Sequence, residues 1–216
     1  MTRGKKMERA AELYALSNVF LAADGIKGKW NEVFFKNDNP ITIEVGCGRG
    51  EYTVELGRRF PERNFIGLDI KAPRLWRGAK TFEEEEMSNG AFIRTLIETI
   101  TDYFEQGEVS EIWVTFPDPH PKPSHAPKRL VSERFLNLYR QILKSGGSIH
   151  FKTDNDKLFE WAVESFEQNQ GLRLLRHTNN LYKSELLDDI TSIRTTYENT
   201  YLEEGKTIKY AEVTFA

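Results

Sequence analysis

Cysteine is almost absent from this chain. Cys47 stands alone among 216 residues, which excludes an intrachain disulfide and a cysteine-built zinc centre. Long apolar runs are missing as well: no stretch approaches the roughly 20 residues that a membrane helix needs. The N-terminal MTRGKKMERAAELYAL has no apolar core leading to a small-residue cleavage site. Neither a membrane span nor a secretory signal is therefore expected, and the cytoplasm is the expected compartment. Internal repeats and low-complexity linkers are lacking too. Nor is there an excess of positive charge, since the formal net charge is −3. That total argues mildly against a nucleic-acid partner, but binding follows the local field. Lys122, Lys128, Arg129, Arg134 and Arg140 lie close in sequence with only Glu133 opposing them, while acid collects elsewhere, as in FEEEE at 82–86.

What is present reads as one globular domain spanning 1–216, with residues 1–40 as a basic arm and helix appended to it. Apolar residues make up 39% and charged residues 29%, which suits a packed core and not a disordered chain. Strand-like and helix-like segments alternate. ITIEV (41–45), NFIGLDI (64–70), AFIRTLI (91–97), EIWVTF (111–116) and SIHFKT (148–153) read as five strands. Between them, Tyr52, Leu56 and Phe60 recur at helical spacing, as do Phe135, Leu138, Tyr139 and Ile142 in a helix that KSGG is expected to stop. LRLLRHT (172–178) and TIKYAEVTF (207–215) are two late strands. The alternation predicts an α/β fold with a doubly wound, mostly parallel sheet and an antiparallel edge. Ligands of such sheets sit outside the carboxyl ends of the strands. The residues there are unusual: Glu44 with GCGRG, Asp69, the run FPDPHPKPSHAPKRL at 116–130, and Asp154 in KTDND.

EVGCGRG (44–50) follows the first of these five strands and opens a helix. Its glycines allow a tight turn and close approach of a ligand to the main chain, and Asp69 after the next strand can accept both hydroxyls of a ribose. A dinucleotide loop needs a third glycine where this chain has Glu51. A carboxylate in or beside the loop suits a ligand with cationic groups better than a pyrophosphate. The segment resembles motif I of the class I S-adenosylmethionine (SAM)-dependent methyltransferases, and GLDI (67–70) resembles their motif II. The resemblance implies a Rossmann-like fold, SAM as methyl donor, and Glu44, Gly46, Gly48 and Asp69 as cofactor residues. Leu96 falls where that pattern often places an acid near the adenine. A pocket-wall or core leucine is the expected role, with an apolar or backbone contact to adenine as the alternative.

The proline run carries a narrower resemblance. FPDPHPKPSHAPKRL is similar to the F-P-D-P-x-P-K-x-x-H-x-x-(K/R)-R signature of the tRNA (guanine-N7)-methyltransferases, departing from the family's tryptophan at His120. Thr153-Asp154 and RTTYE (194–198) match the family's T-D and T-x-(F/Y)-E elements, so the likeness runs from Ile41 onward. It implies methylation of a variable-loop guanine in tRNA. Guanine N7 has no proton to lose, so the reaction needs alignment rather than a strong base. Asp118, at the mouth of the cleft, is the candidate to stabilise the charge arriving on the ring and to face the cofactor. Asp154 and Glu198 can accept from guanine N1–H and N2–H₂, with Lys122 and Thr195 to Tyr197 (including Thr196) beside them. His125, Lys128 and Arg129 are expected at RNA phosphates.

Plainer roles compete. Asp154 precedes Asn155 and a helix, so an N-cap is an alternative, and Glu198 could be a solvated surface residue. Trp76, Trp113, Trp161 and His150 read as structural. No metal site is expected. Two other functions stay open at this point: a SAM methyltransferase acting on another base or a small molecule, and an RNA-binding protein with a degenerate site.

Overall fold

The computed structural model describes residues 2–22 and 25–216, leaving aside the side chains of Arg3 and Lys6 of the basic arm. Eight strands form one sheet: β1 (Val19–Phe20), β2 (Ile41–Val45), β3 (Asn64–Asp69), β4 (Gly90–Arg94), β5 (Val109–Thr115), β6 (Leu143–Thr153), β7 (Leu172–Thr178) and β8 (Lys209–Phe215). Their spatial order is β1-β4-β3-β2-β5-β6-β8-β7. Pairings from β1 to β6 are parallel, and β8 runs antiparallel to both β6 and β7. Among the described residues, six α-helices accompany the sheet: α1 (Arg3–Leu13), α2 (Glu51–Arg59), α3 (Ala72–Glu84), α4 (Glu133–Ile142), α5 (Asp156–Gln168) and α6 (Thr196–Glu203). The expected doubly wound sheet with an antiparallel edge is present.

Local sequence explains these elements. β2 is apolar and β-branched, and every one of its residues is buried, as befits a central parallel strand covered on both faces. Pro73 sits in the first turn of α3, where its missing N–H costs nothing. The α2 side of the sheet buries Tyr52, Leu56, Trp113 and Tyr210, and the opposite face buries Phe135, Tyr139, Phe159 and Phe166 of α4 and α5. Trp113 stacks on His150 with ring centres 4.2 Å apart, so both are structural as expected.

Two boundaries differ most from the periodic reading. The strand expected to reach residue 97 stops at Arg94, because Thr95 N–H turns back to Asp69 O (3.2 Å) and a 3₁₀ turn follows at Ile97–Asp102. KSGG does not stop α4 before a loop. The chain passes directly from Ile142 into β6, whose register against β5 shifts between Val109 and Glu111. Gly147 belongs there because a Cβ would lie 2.7 Å from Ser110 O. The N-terminal segment joins the core: β1 extends the sheet, Leu13 and Trp30 are fully buried, and Trp30 Nε1–H donates to Tyr103 O at 2.9 Å.

β2 pairs with β3 on one side and β5 on the other. This is the point where the winding of the sheet reverses, and a crevice opens there at the carboxyl ends.

Candidate active site

The crevice holds two chambers on either side of the glycine loop. The larger, about 410 Å³, is lined by Gly46, Asp69, Leu96, Phe116, Asp118 and Lys128, among others. The smaller, about 150 Å³, is lined by Glu44, Gly46, Gly48, Thr115, Thr195, Thr196 and Tyr197, among others. Gly46, Arg74 and Phe116 border both, so the two form one elongated cleft. The residues expected to hold a cofactor are brought together here by strands far apart in sequence.

The loop between β2 and α2 turns on left-handed glycines. Gly46 has φ +72° and Gly50 +68°, a region that favours glycine. At Gly50 the constraint is also steric, since a Cβ would fall 2.5 Å from the Phe92 ring. Asp69 fixes the loop: its carboxylate accepts from Gly48 N–H (3.0 Å) and Lys71 N–H (2.7 Å). Carboxylate oxygens have further lone pairs, so Asp69 retains capacity for a ligand's hydroxyls. Leu96, half exposed, forms part of the opposite wall and is no core residue.

Glu44 is more deeply placed than the sequence suggests. It is 2% exposed and accepts hydrogen bonds from Thr53 N–H (3.0 Å) and from the hydroxyls of Thr53 and Thr115. Burial pushes its carboxyl up to about 7, against those hydrogen bonds. Glu44 therefore ties α2 and β5 beneath the loop and lends a titratable charge to the floor of the small chamber.

The proline run is a clamped rim. Phe116 and His120 both adopt left-handed backbone, with φ +48° and +43°, and non-glycine residues persist there only where surroundings hold them. Arg129 does the holding. Its guanidinium donates to Pro119 O (3.2 Å) and His120 O (3.1 Å) and stacks 4.3 Å from the Trp161 ring centre. Arg129 is 9% exposed, and its Nε and Nη2 hold the loop, so the structure gives it a clamping role where a phosphate contact was expected. Trp161 is correspondingly its platform. Asp118, Lys122 and Lys128 remain exposed on the rim, and His125 sits edge-on to His120 with ring centres 6.1 Å apart. The carbonyl and left-handed turn at position 120 are main-chain features, which a tryptophan or a histidine can supply alike.

The segment leading into α6 forms the roof of the small chamber. Thr195 is the N-cap of α6, its hydroxyl accepting from Glu198 N–H at 3.2 Å. Thr196 donates its N–H and hydroxyl (2.8 Å) to Glu51, so the residue that replaces a third glycine pins the roof to α2. Tyr197 is exposed at the rim. Glu198 is fully buried and is no surface residue. It accepts from Lys152 Nζ (3.0 Å) and Tyr182 Oη (2.7 Å), so the direct guanine contact expected of it is corrected: both oxygens are engaged inside the fold. Lys152, equally buried, also donates to Thr191 O (2.9 Å) and Ile193 O (3.0 Å). All three of its donors are satisfied. Burial lowers the ammonium's pKa while Glu198 opposes the shift. Asp154 is not the N-cap, which is Asn155, accepting from Leu158 N–H at 2.8 Å. Asp154 faces Lys206 at 3.3 Å and does not line either chamber.

Lys152 and Tyr182 escaped the sequence reading, and Glu51 was read only as the absence of a third glycine. Only Lys152 carried a signal: a cation inside a strand that should be covered on both faces must have a buried partner.

Comparisons with known proteins identify the chain's relatives. A family model described as "Putative methyltransferase" matches residues 38–211. The tRNA (guanine-N(7)-)-methyltransferase of Cytophaga hutchinsonii is 50% identical over 190 residues, covering 88% of this chain and 86% of the relative. The chain belongs to this family. The Bacteroides fragilis tRNA (guanine-N(7)-)-methyltransferase is 49% identical, over 95% of this chain and 83% of the relative. Among solved structures, the 16S rRNA methyltransferase KamB superposes with a TM-score of 0.66 over 91% of this chain and 98% of its own. At 15% identity that likeness speaks for the class I methyltransferase fold alone.

Proposed function

We propose that this protein transfers a methyl group from SAM to N7 of a guanine in tRNA, the variable-loop guanine that the family resemblance implies. The observation that carries the reading is the meeting of the glycine loop, Asp69 and Asp118 in one cleft at the sheet's reversal point, in a chain about half identical to enzymes of that name.

The cleft fits the cofactor. Asp69 offers ribose-facing acceptor capacity in the large chamber, Leu96 an apolar wall, and Gly46 and Gly48 a main chain that can be approached closely. Glu44 supplies negative charge below the small chamber. Once bound, SAM supplies an electrophilic methyl group on a sulfonium. The remaining work is positional. Guanine N7 is a lone pair in need of alignment, and holding two reactants in line is worth several powers of ten in rate. The rim clamped by Arg129 presents Asp118 where positive charge develops on the purine, and a fixed carboxylate there favours the transition state over the ground state. Thr195, Thr196 and Tyr197 present polar groups across the cleft for the base. Glu198 and Lys152 act behind them by holding the segment in place. Lys122, Lys128 and His125 face outward toward the RNA.

The deciding experiment incubates the protein with SAM and unmodified tRNA, digests the RNA and assays N7-methylguanosine by mass spectrometry. The nucleoside is expected with the wild type and at least ~100-fold more slowly with Asp118→Ala, whose tRNA affinity stays close to wild type. Absence of the product from folded protein and competent tRNA refutes the assignment.

A further inference from the structure

A second concavity adjoins the active-site cleft. Its volume is about 460 Å³, and its walls are α2, α3 and the segment 192–199. Five arginines line it, Arg49, Arg58, Arg59, Arg77 and Arg194, against two carboxylates, Glu51 and Glu55. Glu84 and Glu85 at its edge pair with Arg77 and Arg58, so the local excess is one positive charge, 5 minus 4, in a chain whose net charge is −3. We infer that this arginine-lined groove is a binding site for the RNA phosphate backbone, leading away from the methyl-transfer cleft.

Three observations select this ligand. The first is how the guanidiniums are held. Arg58 donates to Glu85 (2.7 Å) and Glu55 (3.0 Å), Arg59 to Glu55 (3.0 Å) and Asp189 O (2.9 Å), Arg77 to Thr81 Oγ1 (2.8 Å) and Glu84 (2.5 Å), and Arg194 to Tyr182 Oη (3.0 Å). These bonds orient the side chains but leave nitrogens over: among the described residues, no hydrogen bond engages the guanidinium of Arg49, Nη1 of Arg77 or either terminal nitrogen of Arg194. Oriented planar donors suit the oxygens of a phosphate. The second is what the walls lack. Among the described residues no aromatic ring lines the groove, so it offers no stacking platform for a base. Asn199 supplies a neutral amide donor of the kind that accompanies arginine at a nucleic-acid backbone. The third is position. Arg49, Glu51 and Thr196 border both this groove and the small chamber of the cleft, so a strand delivering its base to the cleft has its backbone at the groove's upper end.

The inference rests on the proposed tRNA substrate, and its test separates the two. Equilibrium binding of unmodified tRNA is measured from 50 to 300 mM KCl for the wild type, Arg77→Ala, and the double variant Arg49→Ser, Arg77→Ala. Neither side chain bonds outside its own element. Each neutralised phosphate contact accounts for a slope of about 0.7 to 0.9 in log K against log salt. The single variant should lose about one such unit and the double about two, with tRNA affinity at 150 mM salt falling roughly 5- to 50-fold. Affinity of Arg77→Ala for SAM should stay within about twofold of the wild type. Unchanged slopes in both variants, while the wild type still forms N7-methylguanosine, overturn the groove and leave the proposed function intact. A wild type that forms no product overturns the function first. Inorganic phosphate replacing chloride at equal ionic strength distinguishes the anion source: only weak competition is expected, and tight binding of free phosphate with unaltered tRNA slopes counts against an RNA track.

Discussion

At the scale of the residue, the site is governed by two buried charges. Glu44 is held up to about 7 by burial, whereas an unfolded chain ionises it near its usual value of 4.5. The stability it contributes is thus fully present below that value and lost as pH rises through about 7. A cationic ligand in the small chamber favours the ionised form, so binding should expel a proton. SAM affinity is accordingly expected to rise up to roughly tenfold from pH 6 to 8 and then level off. Glu44→Gln, which can still accept from Thr53 and donate to Thr115, should flatten the profile. Calorimetric titration at several pH values checks this, and an equally steep profile in the variant rules it out. Lys152 makes the opposite case. Replacing it with methionine strands Glu198 in the interior, a loss of about 3–5 kcal/mol in urea unfolding. Adding Glu198→Gln should recover a good part of that loss. Full additivity of the two changes would mean that they do not form a functional pair. The role of Glu198 was not legible because RTTYE names a motif, not which of its side chains points inward. The strand SIHFKT did contain the clue, in a lysine where only apolar residues belong.

At the scale of the element, the proline rim is a loop whose shape is made elsewhere. Prolines restrict the chain, yet the left-handed residues at both ends, Phe116 and His120, need an external hold. Arg129 gives it from ten positions downstream of Pro119, with Trp161 of α5 behind it. The sequence revealed a basic run after a rigid one, and basic runs near RNA enzymes invite a phosphate assignment. Burial separates neighbours in that run: Lys128 is exposed and Arg129 is not. Arg129→Ala should therefore loosen the rim and lower kcat ~10- to 100-fold, with KM for tRNA little changed. Arg129→Lys should rescue poorly, since an ammonium cannot span two carbonyls and stack as the planar group does. Lys128→Ala should instead raise KM for tRNA and reduce the salt slope by about 1. Steady-state kinetics at two salt concentrations distinguish the pair, and identical behaviour of both variants would return Arg129 to the RNA surface.

At the scale of the whole molecule, alternation of strand and helix was readable because parallel strands buried on both faces are continuous apolar runs. Strand ends marked the site because chemistry-bearing residues such as Asp69 and Asp118 have no packing reason to follow such runs. Strand order was less accessible, since it depends on pairings between segments far apart in sequence. The last strand shows the consequence. β8 is inserted between β6 and β7, and it is the strand on which β7 pairs. Its side chains are buried from Lys209 to Thr214, and Lys209 Nζ donates to Asp154 O (2.9 Å) where β6 ends. Removing residues 209–216 should therefore detach β7, expose the flank of β6 beside the Lys152 anchor, and abolish cooperative unfolding. Removing residues 1–12 takes away only α1, which packs on α3 outside the sheet and spares the buried Leu13. That variant should keep a single thermal transition, lowered by a few degrees, because loss of one surface helix costs far less than loss of a two-sided strand. Circular dichroism melts of the two truncations test the asymmetry. A cooperative melt of the C-terminal truncation matching that of the N-terminal one would mean that β8 is dispensable, and that the sheet closes at β6.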